Sequence, residues 1–340
     1  MEKNLKINPF EVEPTPTLDS ASIPAQVFFN HFEAIFLTIQ NNKDFFNIGS
    51  SSFFKRFRPY INENRANQIK AMLLNAWNTE FSLRNVVKTA DQQYLNHSLH
   101  WTFPQAYFSV FYSIRALMAT QGVYTSDEKA LGKRIANWVA RGFYPSYVGF
   151  YASGNYNDFK IHRVGSRKAR PSLDYVKNQE DASSHVAQFL KTTRTLKAKK
   201  LRDEIQSNED TAIKNKTTGD VLMKFTKKDW EQVTSQMPVT TFFDLLGRLK
   251  YSESNREIER FINASISFQD FHDALMGIVY HINLVHETYL VKALGIENYQ
   301  KFLNELPEHL KNGFVQERYY QSIKPQLLPY NAYHKQQMAA

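Results

Sequence analysis

The stretch "QAYFSVFYSIRALMATQG", Gln105 to Gly122, constrains the fold more than any other part of the chain. At helical spacing Tyr107, Phe111, Ile114 and Met118 share one face, and Phe108, Tyr112, Arg115 and Ala119 share the next. Ala106, Val110 and Leu117 fill much of what is left. A helix apolar nearly all round has to be covered on every side, which places it at the centre of a bundle. Its one cation, Arg115, is expected inside that bundle, satisfied by a carboxylate or by carbonyls, because an unpaired buried guanidinium is too costly.

The flanking sequence supplies helices to surround it. Pro24 opens a helix with Val27, Phe28, Phe32, Ile35, Phe36 and Ile39 in register. Residues from about Glu63 to Ser98 read as one long helix, ended by "HWTFP", with Pro104 starting the central one. A capped helix follows Gly122, with Ser126 as its N-cap and Gly142 as its C-cap. The aromatic run 143–159 is expected to be irregular or extended, and Gln179–Gln206 helical. The last long helix carries Phe271, Leu275, Ile278, Val279, Ile282, Val285, Tyr289 and Leu290 as a stripe. Gly and Pro number only 12 each, which disfavours a turn-rich β fold. The expected class is all-α: a helical bundle with an N-terminal helical extension and a partly irregular basic insertion.

The chemistry that can be excluded is broad. With no cysteine among 340 residues, disulfides, thiol catalysis and Cys-ligated zinc are ruled out. No Gly-x-Gly fingerprint, phosphate-cradling P-loop or Gly-x-Ser-x-Gly elbow occurs. His272, His281 and His286 stand nine and five apart, which does not give the i,i+4 pair of a helical zinc site. No metal or cofactor is therefore expected. The N-terminus has no apolar signal-peptide core, and the longest apolar runs are far too short to span a bilayer, so a cytoplasmic protein without a membrane partner is expected.

The net charge of +9 is concentrated. Between Lys160 and Arg202 stand twelve basic residues against three acids, an excess equal to that of the whole chain. Such a segment attracts polyanions. Arg163, Arg167, Lys168, Arg170, Arg194, Lys197, Lys199 and Lys200 are its candidate contacts to RNA or DNA.

Three segments together resemble the HEPN superfamily, helical-bundle domains of prokaryotic toxin and defence systems. They are "QAYFSVFYSIRALMATQG", "FFDLLGRLKYSESNREIERFI" and the long helix from Phe268. The resemblance spans 63–122 and 239–295. It implies a bundle preceded by an extended arm (1–22) and a helical extension (23–62), interrupted by an insertion (123–238), and followed by a C-terminal helical segment and tail (296–340). Catalytic members are metal-independent ribonucleases with an Arg and, four to six residues on, a His. Here Arg84-Asn85 starts that pattern, but the next histidines are His97 and His100, and no Arg has a His at the required distance. Arg84, Arg115, Arg248, Asn255 and Arg256 are the residues that a rearranged cleft would use, with arginines to stabilise phosphorane charge. The resemblance thus implies a non-catalytic or weakly catalytic component of an RNA-linked or phage-defence system. The rivals are a divergent endoribonuclease and an adaptor whose aromatic run 143–159 docks a protein partner or a second copy of the chain.

Overall fold

The computed structural model describes residues 20, 22–42, 48–89, 91–156, 158–168, 170–215, 218–235, 237–250 and 261–327. The fold is mainly α, and among the described residues the only sheet is a two-stranded hairpin. The expected arm (apart from Ser20 and Ser22) and the tail from 328 lie outside the described residues.

Helices α3 (Glu63–Thr89) and α4 (Gln92–Ala119) pack as an antiparallel hairpin, with Ser109 Oγ donating to Ala76 O at 3.1 Å. The break between them differs from the sequence expectation. It falls between the ends of α3 at Thr89 and α4 at Gln92, and the Asp91 side chain caps α4 by accepting from Tyr94 N. Pro104 lies inside α4 rather than at its start. Proline removes one backbone donor there. Leu95, Leu99 and Phe103 before it and Ala106, Tyr107 and Val110 after it are all buried, so one continuous helix keeps both halves of the stripe in the core.

Next come α5 (Glu128–Ala140), capped by Asp127 rather than by Ser126, and the strands β1 (Tyr151–Gly154) and β2 (Phe159–His162). Gly142, at φ 84°, takes the left-handed position just past the Arg141 C-cap of α5. Helices α6 (Gln179–Gln206), α7 (Lys227–Ser235) and α8 (Phe242–Lys250) complete the middle of the chain. The long α9 (Phe268–Leu294) packs on α4 and α3, and Tyr289 stacks on Phe143 with centroids 3.9 Å apart. The aromatic run 143–159 turns inward: Phe143, Tyr144, Tyr147 and Phe150 are all buried. These four rings belong to the core, while Tyr151, Tyr156 and Phe159 of the run stay half-buried.

Helix α1 (Ile23–Gln40) lies across both α6 and α9. Asn30 Nδ2 donates to Asp174 O at 3.0 Å, and Phe28, Phe29 and Phe32 pack around Phe271. The Phe36 ring sits in the notch left by Gly277 of α9, where a Cβ would collide with it. Gly277→Ala is expected to destabilise the protein by about 1–3 kcal/mol through overpacking, although alanine is the better helix former by about 1 kcal/mol. Urea unfolding should show the loss, and Phe36→Ala in the same chain should recover part of it.

Candidate functional site

The most polar part of the interior is also among the most buried. Trp77, Glu80 and Arg84 follow each other at i, i+3 and i+7 along α3, Ser109 and Ser113 at i,i+4 along α4, and Asn283, His286 and Glu287 at i, i+3 and i+4 along α9. Each set lies on one stripe of its helix, and the three stripes meet. The fourth contributor is Arg318, from a π-helical turn (Arg318–Ile323) in the C-terminal helical segment.

Arg318 is fully buried and binds two carboxylates. Nη1 donates to both oxygens of Glu80 at 2.9 and 3.0 Å, Nη2 to Glu287 Oε1 at 2.6 Å, and Nε to Glu287 Oε2 at 3.2 Å. Arg84 adds a second guanidinium on Glu80, at 2.8 and 3.1 Å. Trp77 Nε1 and Tyr299 Oη donate to Glu287 at 2.9 and 3.2 Å. Two cations therefore balance two anions. Burial pushes the Glu80 carboxyl up, but Arg318, Arg84 and Asn283 outweigh it and hold the group below the usual range. At Glu287 burial prevails and raises the pKa against the pull of Arg318 and Trp77.

The network continues through Asn283, whose Nδ2 donates to Glu80 Oε2 and Ser109 Oγ, both at 2.9 Å. Ser113 Oγ donates to Asn283 Oδ1 at 2.6 Å and lies 2.8 Å from His286 Nδ1. Tyr144 Oη lies 2.8 Å from His286 Nε2. These bonds assign the tautomer with the proton on Nδ1, so that Tyr144 donates to Nε2. The buried donors and acceptors are spent on one another, and the arrangement orders the core.

The predicted catalytic residues have separate surroundings. Arg84 pairs with Glu80 and lies 4.4 Å over the Phe314 ring. Arg115 is half-buried, with its guanidinium 5.6 Å from the centre of Phe111 and its Nε without a partner. The expected carboxylate or carbonyl partner is thus missing among the described residues, because an aromatic face from the preceding turn takes that place. Arg248 is exposed, 4.7 Å over Phe28. Asn255 and Arg256 lie outside the described residues.

The predicted nucleic-acid contacts divide in two. Arg194 is buried and clamps the hairpin by donating to Ala152 O, Gly154 O and Pro238 O. Arg163, at φ 59°, donates to Val139 O and Ala140 O at the end of α5 and to Gly149 O. Lys168 pairs with Asp181 at 2.6 Å and Lys197 with Asp244 at 2.7 Å. Arg167, Arg170, Lys199 and Lys200 are exposed and make no ion pair among the described residues.

Arg167 lines a cleft of about 640 Å³ with Asp158, Phe159, Lys160, Ile161, His162 and Lys191. Lys160 and His162 project from the same side of β2, two residues apart. Tyr151, opposite His162 in the hairpin, stacks on its ring at 4.4 Å, and Ser153 Oγ lies 2.8 Å from its Nε2. Neither Lys160 nor Lys191 has an ion-pair partner among the described residues. Sequence reasoning counted both in the basic excess without singling them out. The signal was the alternating Lys-x-His of a short strand.

Among the described residues no group of three or more His, Cys, Asp or Glu could hold a metal ion, and no helix is long and apolar enough to cross a membrane. No family model, curated protein or solved structure matches the chain.

Arg318→Met should cost about 3–5 kcal/mol, because two carboxylates stay behind in the core. Arg115→Ala should cost only about 1 kcal/mol, since no buried charge loses its partner. Urea titrations of the two variants check the contrast. Acid should also destabilise the fold. Burial, with Arg248 and His185 adding to it, holds His31 down to about 3. Burial alone lowers His286 to about 3, and burial with Arg318 lowers His281 to about 4 against a bond to Gly277 O. The unfolded chain then binds more protons than the native one from about pH 6.5 down to those values. Stability is expected to be full above this window and to fall as pH drops through it, by up to about 1.4 kcal/mol per pH unit for each histidine. Unfolding midpoints measured at stepped pH should show this, and His281→Gln should reduce the slope by one proton.

Proposed function

We propose that the chain binds a nucleic-acid backbone in the cleft between β2 and α6. One observation carries this reading: Lys160, Arg167 and Lys191 line one concave surface and have no ion-pair partner among the described residues. These cations outnumber the one acid in the lining, Asp158, and such an excess favours phosphates, whose counterions are released on binding. The stacked Tyr151–His162 pair beside them adds flat surface of the kind on which unpaired bases stack. The resemblance to HEPN bundles supports RNA as the nucleic acid and an RNA-linked or defence setting for the protein. A metal-independent endoribonuclease is the second reading. It rests on the resemblance, with the exposed Arg248 of α8 as the arginine it would use.

Fluorescence anisotropy with a labelled single-stranded RNA is the direct test. The affinity should fall with salt, with a slope of log K against log salt of about −0.7 per phosphate contact. Changing Lys160, Arg167 and Lys191 together to Glu should abolish binding at low salt and leave the melting curve unchanged. Equal affinity in that variant would sink the proposal. RNA cleavage in EDTA that is lost in Arg248→Ala would establish the second reading.

A further inference from the structure

A second basic cleft lies at the other end of the segment 141–167. It measures about 580 Å³ and is lined by Phe53, Arg56, Phe57, Arg58, Gln121 and Arg141. It shares no lining residue with the β2–α6 cleft. Arg56 and Arg58 come from the end of α2 (Ser52–Arg56) and the chain just after it, and Arg141 from the C-cap of α5.

The donors here are largely unspent. Among the described residues Arg56 uses only Nε, on Ser52 O at 3.2 Å. Among them Arg58 uses only Nη1, on Lys55 O at 2.8 Å and Phe57 O at 3.3 Å. Arg141 has no side-chain hydrogen bond or ion pair among the described residues, and none of the three guanidiniums meets a carboxylate. Among the described residues no acid lines the cleft. A fourth cation lies close by: Lys292 of α9 donates to Phe54 O and Lys55 O, and its ammonium is lowered in pKa by burial and by the charge of Arg58. Phe57 is buried and Phe53 half-buried, so part of the lining is apolar.

We propose that this cleft binds a compact phosphoanion of the pyrophosphate class. Planar guanidiniums match phosphate oxygens in paired hydrogen bonds. Three of them around one hollow suit an anion whose charges are adjacent, whereas a nucleic-acid backbone spreads one charge per nucleotide along its length. Two sources supply this chemistry: free inorganic pyrophosphate or polyphosphate, and the 5′-triphosphate end of an RNA chain.

Isothermal titration of the full chain with inorganic pyrophosphate, and anisotropy with one RNA sequence carrying either a 5′-triphosphate or a 5′-hydroxyl, test the assignment. Pyrophosphate binding, or tighter binding of the triphosphate RNA, is expected. Arg58→Ala and Arg141→Ala should each weaken it by roughly tenfold or more. Arg56, Arg58 and Arg141 are exposed, so the variants should melt as the parent does; Arg58→Lys keeps the charge and should lose only the paired geometry. The Lys160, Arg167, Lys191 triple variant should keep the pyrophosphate response even if its RNA binding is gone, which separates this site from the proposed nucleic-acid cleft. Three results would overturn the proposal: no response to either probe, a response untouched by Arg58→Ala and Arg141→Ala, or a response lost in the triple variant alone.

Discussion

Arg318, held between Glu80 and Glu287, is the interaction on which the bundle depends. All three side chains are out of reach of solvent. Either carboxylate alone in that position would have to give up its charge or leave the core. Together with Arg84 the group is neutral, and its geometry is narrow: Arg318 sets Nη1 on both oxygens of Glu80, and Nε and Nη2 each on one oxygen of Glu287. An apolar core of equal volume could be as stable, but it would not specify which turn of the C-terminal segment meets α3 and α9. The guanidinium does so, and the fixed carboxylates then aim Trp77, Tyr299 and Asn283.

The basic segment illustrates how charge is divided between architecture and surface. Arg194 and Arg163 spend their donors on carbonyls of the hairpin and of α5. Lys168 and Lys197 are neutralised by Asp181 and Asp244. What remains without an ion pair among the described residues is Lys160, Arg167 and Lys191 in the cleft, with Arg170, Lys177, Lys199 and Lys200 on open surface. A count of charges along the chain cannot make this distinction, because it depends on which carbonyls and carboxylates are brought near.

Periodicity made the large helices legible. Gln179–Gln206 and the helix from Phe268 stand where the apolar spacing puts them. Proline misled at position 104 because burial on both sides outweighs one missing donor, and Asp91 was passed over because its capping role shows only once the turn is known. The aromatic richness around Arg115 correctly indicated a central helix, yet the cation lies against Phe111 rather than a carboxylate. Arg318 was beyond sequence reasoning: its partners lie 31 and 238 residues away, and no local pattern encodes such a meeting. The same holds for the cleft that gathers Arg56, Arg58 and Arg141 from separate turns of the chain.

Helix α1 lies between the element carrying Lys191 and the element carrying Glu287. On one side Asn30 is tied to the chain leading into α6, and on the other the Phe36 ring fills the Gly277 notch without clearance. The ring in its notch and the Asn30 bond hold α1 to both neighbours at once, so a shift of α6 relative to α9 would have to strain one of these two contacts.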